Sequence, residues 1–164
     1  PASEANSLES GGIRVDGDDE LSQPVTKDLK ATKGKIQFQF RSRHAAANVV
    51  GFGQAAAYLF DLYEDANNYL RVYFSAANTL TIAYNANGGG EVTDTWDCTG
   101  LIVADTLYAA EAAYIGAVAT ITIGGTLRAT AAGAVAFATA PTVDINWGTR
   151  QDGLMQFDGV LLAP

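Results

Sequence analysis

The sequence holds one cysteine, one methionine and one histidine, and only 17% of its 164 residues are charged. That is below the ~25% of ordinary soluble domains. A single thiol, Cys98, excludes an internal disulfide framework and a zinc cage built from cysteines. No apolar run approaches the ~18–20 residues of a membrane-spanning helix, so membrane insertion is not expected. Bases are scarce: 10 Lys and Arg stand against 18 Asp and Glu, a net charge of −8. A chain this acidic lacks the cations that displace phosphate counterions, which excludes a nucleic-acid binder. Disorder is excluded from the opposite side, because 48% of the residues are hydrophobic. The length suits one domain with a genuine core.

Small residues fill the space left by the missing charge: 29 Ala and 17 Gly. The chain opens on Pro1 rather than Met and carries no leader pattern. It is therefore expected to be a processed product, an excised domain or a fragment. Residues 1–11 are polar and read as an arm, and residues 12–164 read as one domain.

From Ile13 onward the dominant signal is period-two alternation. Ile36, Phe38 and Phe40 alternate with Gln37, Gln39 and Arg41. Leu70, Val72 and Phe74 alternate with Tyr69, Arg71 and Tyr73. Leu80, Ile82 and Tyr84 alternate with Thr79, Thr81 and Ala83, and Val143, Ile145 and Trp147 with Asp144 and Asn146. Each run places one set inward and the other toward solvent. Turn residues separate the runs at Asp16-Gly17-Asp18, Glu64 to Asn68, Gly88 to Gly90, Gly124-Gly125 and Gln151 to Gly153. The stretch Asp105–Gly116 has a helical N-cap and alanines, yet Tyr108, Ala110, Ala112 and Tyr114 alternate, and we read it as a strand. The Ala- and Gly-rich stretch 129–140 is too apolar for a linker and reads as a thinly packed strand or a covering loop. Many short strands between such turns make an all-β antiparallel sandwich or barrel.

The order of these segments resembles the laminin G-like, concanavalin A-like jelly rolls. Gly12-Ile13-Arg14-Val15-Asp16-Gly17-Asp18-Asp19 resembles their opening strand and turn, and Gly34 to Phe40 their long second strand. Leu59 to Leu62, Asn68 to Val72 and Leu80 to Ile82 are similar to their middle meander. Tyr114 to Gly125 resembles the strand ending in a glycine turn, and Ile145 to Gly148 with Phe157 to Leu162 the last strand pair. The likeness covers about residues 12–162. Many relatives carry a Trp-His pair just before the glycine turn, whereas here the tryptophan lies upstream in Thr95-Trp96-Asp97-Cys98. The resemblance implies a two-sheet antiparallel jelly-roll β-sandwich.

Catalytic constellations are missing. Jelly-roll glycosidases need two carboxylates that flank the scissile bond, at alternate positions of one strand. The nearest set, Glu91, Asp94 and Asp97, is spaced by three, and residues three apart on a strand face opposite ways. His44 could serve as a base but no Gly-x-Ser-x-Gly accompanies it, Cys98 has no nearby partner in sequence, and Gly51-Phe52-Gly53 lacks the rest of a dinucleotide fingerprint. The expectation is a non-enzyme.

Two kinds of binding site are expected. Calcium takes oxygen ligands from acidic loops, and two loops qualify: Asp16, Asp18 and Asp19, and Asp61 with Asp65. Asp and Asn also favour hairpin turns for backbone reasons alone. No other cofactor is expected. For a glycan, the candidate aromatics are Tyr58, Tyr63, Tyr69, Tyr73, Trp96 and Trp147, and Tyr69 and Tyr73 flank Arg71 on one strand face; cross-strand packing of tyrosines produces the same pattern.

These sandwiches host lectins, hydrolases and purely structural modules, so the fold alone does not assign the role. By analogy with phage surface proteins of this fold, the first expectation is a structural or display module on the exterior of a larger assembly, such as a bacteriophage capsid decoration, fibre or tail component. The alternative is an extracellular carbohydrate-binding module. Expected partners are other subunits of an assembly, further copies of the chain, or glycans, at a virion surface or outside the cell. Charge distribution adds one hint. All four lysines precede residue 36, whereas residues 77–149 hold six acids and the single base Arg128, a polarity suited to head-to-tail pairing between copies.

Overall fold

The computed structural model describes residues 12–15, 21–23, 29–50, 54–152 and 156–162. Twelve strands occupy these residues, with one 3₁₀ turn at Ala46–Asn48. They are β1 (Gly12–Val15), β2 (Leu21–Gln23), β3 (Lys33–Ser42), β4 (Ala57–Asp65), β5 (Asn68–Ala76) and β6 (Thr79–Asn85). The second half comprises β7 (Val92–Asp97), β8 (Leu107–Ile115), β9 (Val118–Ile123), β10 (Thr126–Ala132), β11 (Ile145–Trp147) and β12 (Gly159–Leu162). They form two six-stranded antiparallel sheets, in the orders β1-β12-β3-β8-β9-β10 and β2-β11-β4-β5-β6-β7. The all-β jelly-roll expectation is met. The arm, the loop carrying Asp16, Asp18 and Asp19, and Gly51-Phe52-Gly53 lie outside the described residues. Among the described residues no helix is long and apolar enough to cross a membrane.

The alternating sets pack against each other between the sheets. Ile36, Phe38 and Phe40 of β3 face inward in the first sheet, and Phe60, Leu70, Val72, Phe74, Leu80 and Ile82 in the second; all are buried. Phe38 meets Phe60 edge-on at 5.6 Å and Trp147 at 5.7 Å, whereas Phe157 lies between Phe40 and Phe74 at 6.2 and 6.4 Å. Each such ring stabilises the sandwich by about 1.5–3 kcal/mol through burial alone. At one end Tyr84 and Tyr114 stack, and Phe137, from the segment after β10, wedges edge-on against both at 5.2 and 5.1 Å. The two phenolic protons are donated to backbone carbonyls, Tyr84 to Gly116 and Tyr114 to Lys30. The 129–140 stretch is thus both of the things expected, a strand and then a plug.

The strand expected within residues 105–116 does form, as β8, whose nine residues pair with β3 from Lys33↔Ile115 to Arg41↔Leu107. One expectation fails in detail. Thr81 and Ala83 lie on the outer face of β6 but are buried, since the larger Tyr73 and Arg71 stand beside them in the paired strand. Ser75 and Thr81 share a 2.6 Å hydroxyl hydrogen bond there.

Candidate functional site

The outer face of the second sheet collects most of the chain's tyrosines. Cross-strand register sets Tyr58 opposite Tyr73, Asp61 opposite Arg71 and Tyr63 opposite Tyr69. Simple alternation does not predict this set, because Tyr58 and Asp61 are three residues apart. An irregularity between Tyr58 and Phe60 inserts one residue and returns both to the same face. Tyr58 and Tyr73 then stack at 4.7 Å with planes 9° apart, and Tyr63 and Tyr69 at 6.2 Å and 20°.

Arg71 is the centre of the face. Its guanidinium lies 4.1 Å from the Tyr69 ring centroid and 5.0 Å from that of Tyr63. Its Nε donates to Asp61 Oδ1 at 2.8 Å, and Nη2 reaches Gln151 Oε1 at 3.4 Å. Asp61 is completely buried, and its Oδ2 accepts the backbone N–H of Gln151 at 3.0 Å. Burial pushes the Asp61 carboxyl above the usual carboxylate range, and Arg71 opposes that shift. The segment carrying Gln151 is a strap across this end of the patch, held also by the ion pair of Arg150 with Asp152. On the other side, Tyr69 donates its hydroxyl to Glu91 Oε2 at 2.6 Å. Burial, and then this hydrogen bond, hold the Tyr69 phenol well above its ordinary pKa. Asn85, opposite Tyr69, donates to the Ala66 carbonyl, while its Oδ1 has no hydrogen bond.

The expected residues divide. Tyr69, Arg71 and Tyr73 do share one face, but Tyr69 is only 7% exposed, and Tyr58 is buried as well. The reachable aromatics are Tyr63 and Tyr73, with Glu91 beside them. Trp96 does not join them. It pairs with Leu80 and therefore points to the inner side of β7, where Arg128 of β10 lies over its ring at 4.6 Å. Asp94, on the same side, accepts the Thr130 N–H at 2.7 Å, so these two residues seal the sheet edges together. Asp97 instead faces outward and accepts from Thr99, as the three-residue spacing requires.

Asp61 and Asp65, named above as candidate calcium ligands, stand on different features of the fold. Asp61 is engaged by Arg71 and Gln151 on the sheet face. Asp65 accepts from the Asn67 N–H and the Asn68 amide in the β4–β5 turn. That is Asx-turn chemistry, with both carboxylates already occupied. Among the described residues no group of three His, Cys, Asp or Glu is arranged to hold a metal ion. His44 sits in the loop after β3 and shares Asp158 with Arg43, at 3.0 Å from Nε2 and 3.3 Å from the guanidinium.

Asp61, Glu91 and Gln151 are contributors the sequence did not single out for this face, and Tyr63 was a candidate aromatic it did not place there. Alternation puts Asp61 and Tyr63 on one face of β4, but a further irregularity between Tyr63 and Asp65 is needed to set them opposite Arg71 and Tyr69, so only their common face was legible. Glu91 and Gln151 arrive from distant loops and left no such trace.

No protein-family model and no curated protein matches the chain. Solved structures do. The LG1-3 region of the laminin α2 chain is similar with a TM-score of 0.69 and 14% identity, over 94% of this chain and 30% of that one. The CBM40 domain of the Ruminococcus gnavus IT-sialidase, bound to α2,3-sialyllactose, gives 0.60 and 13% identity, over 93% and 89% of the two chains. A Caenorhabditis elegans galectin gives 0.51 and 14%, over 87% and 86%. The chain spans about a third of the length of the laminin chains it matches. With two six-stranded antiparallel sheets and these likenesses, the chain has the laminin G-like, concanavalin A-like jelly-roll fold.

Proposed function

We propose that this chain is a non-catalytic binding module that takes a glycan on the outer face of the second sheet. The observation that carries the reading is the Tyr63–Arg71–Tyr73 surface, a group of reachable rings held by a buried ion pair and flanked by the exposed Glu91. Flat rings cover the apolar faces of sugars, and fixed polar groups beside them orient the hydroxyls. Support in kind comes from the fold, shared with a CBM40 bound to sialyllactose and with a galectin. A glycan array probed with the labelled chain tests it, run with and without calcium because Asp16, Asp18 and Asp19 remain candidate ligands. Binding that falls at least about tenfold in Tyr63→Ala and Tyr73→Ala is expected, equivalent to ~1.4 kcal/mol. No signal in either condition overturns the reading.

A second reading has an observation of its own. The outer face of the first sheet exposes Ile115, Leu127, Leu107 and Val118 among small neutral residues of β8, β9 and β10. Apolar exposure of this kind marks contact surfaces, which favours a display module assembled with further copies or other subunits on the exterior of a larger particle, a bacteriophage virion in the sharpest form. An extracellular or virion-surface location suits either reading. Light scattering on the chain separates them: oligomers abolished by Ile115→Lys support assembly, and a strict monomer that binds glycan removes it.

A further inference from the structure

We infer that the glycan taken by this face is uncharged, and that Arg71 is a positioning residue rather than a receptor for a ligand carboxylate. The inference rests on the glycan-binding reading and names the chemical class of its ligand. A guanidinium recognises a carboxylate through a free fork of two parallel N–H donors in the carboxylate plane. In Arg71 the fork formed by Nε and Nη2 is already committed, and little of the side chain is exposed. Nε donates to Asp61 Oδ1 at 2.8 Å, Nη2 is directed to Gln151, and the plane is covered by the Tyr69 and Tyr63 rings at 4.1 and 5.0 Å. Its side chain is only 14% exposed, and Asp61 beneath it is completely buried. The positive charge is therefore neutralised inside the protein and faces no ligand.

The other charges on the face complete the argument. Arg150 is paired with Asp152, and Arg71 with Asp61. Glu91 is left, exposed, with one oxygen accepting the Tyr69 hydroxyl at 2.6 Å and no cation paired with it among the described residues. Two arginines against Asp61, Asp152 and Glu91 give the face a net charge of −1. The accessible polar group is thus an anionic acceptor. Sugar hydroxyls donate to such a group, whereas a sialic or uronic acid carboxylate has no proton to give and is repelled by it. This differs from what the sialyllactose complex of the structurally similar CBM40 would lead one to carry over.

The test is a glycan array in which each neutral hexose- or hexosamine-terminated glycan is printed beside its sialylated counterpart, read with the unmodified chain and with Glu91→Gln. Neutral members should bind at least about tenfold more tightly than their sialylated partners, the ratio expected for one exposed like charge a few ångströms away. Glu91→Gln should narrow that ratio severalfold by raising the acidic signal. Affinity for a neutral hit should change less than about twofold between 50 and 500 mM NaCl, because no ligand charge is screened. Binding confined to acidic glycans overturns this inference and leaves the glycan-binding reading standing. An unchanged ratio in Glu91→Gln also overturns it. Absence of all binding removes the reading and the inference together.

Discussion

Asp61 and Arg71 face each other across the β4–β5 pair with Nε 2.8 Å from Oδ1, the carboxylate wholly buried and the guanidinium roofed by tyrosine rings. Neither charge is disposable alone. Asp61→Ala leaves an uncompensated guanidinium under Tyr63 and Tyr69, and it also strands the Gln151 N–H. A loss of about 3–5 kcal/mol is expected in urea unfolding. Arg71→Ala should cost a similar amount. The double variant should lose less than the sum of the two, because the first change already removes the partner. Strict additivity would show that the pair does not organise the face.

The tyrosines divide by depth. Tyr69 is 7% exposed and donates to Glu91, so Tyr69→Ala should destabilise by about 3 kcal/mol and Tyr69→Phe by about 1 kcal/mol. Tyr63→Ala and Tyr73→Ala should cost about 1 kcal/mol each, since part of each ring already faces water. Thermal unfolding of the four variants checks the order. Equal losses would mean that Tyr69 is no more structural than its neighbours.

Two glycines are fixed by close packing rather than by backbone conformation. A Cβ on Gly34 would lie 2.5 Å from the Tyr114 ring and 2.6 Å from Leu29, both side chains with some freedom to move. A Cβ on Gly159 would meet the backbone carbonyl of Arg41 and the ring of Phe157, and the carbonyl belongs to the paired strand. Gly34→Ala should therefore cost about 1–3 kcal/mol and Gly159→Ala more. Denaturant midpoints of the two variants test the ranking, and the reverse order would contradict it.

Burial pushes the Cys98 thiol up to about 11, above its ordinary value of 9.0. In that window the folded chain holds the proton and the unfolded chain releases it, so stability falls as pH rises from 9 toward 11. At pH 10 the difference is about 1.4 kcal/mol, one pKa unit. Cys98→Ala removes the effect, so the stability gap between wild type and variant should shrink by that amount between pH 7 and pH 10. A gap independent of pH would show that the thiol ionises as readily folded as unfolded.

Alternation alone specified the sandwich. Phe38, Val72 and Ile82 could only be buried by a second apolar face, so their pattern required two facing sheets with these residues inside. The same alternation favoured a strand over a helix within residues 105–116, where β8 spans Leu107–Ile115. The shared face of Tyr69, Arg71 and Tyr73 followed from the same period. What lies on top of that face did not follow. Parity places Tyr58 wrongly, and only the irregularity before Phe60, set by how β4 fits against β5, returns it to Tyr73. Likewise nothing local joins Asp61 to Gln151 or Tyr69 to Glu91; these meet because the loops around β7 and β11 fold back over the sheet. Trp96 looked like another exposed aromatic until the register of β7 turned it inward. Period-two patterning fixes which way a side chain points, but charge pairing and depth of cover depend on contacts between residues far apart in the chain. Those were decided by the tertiary structure.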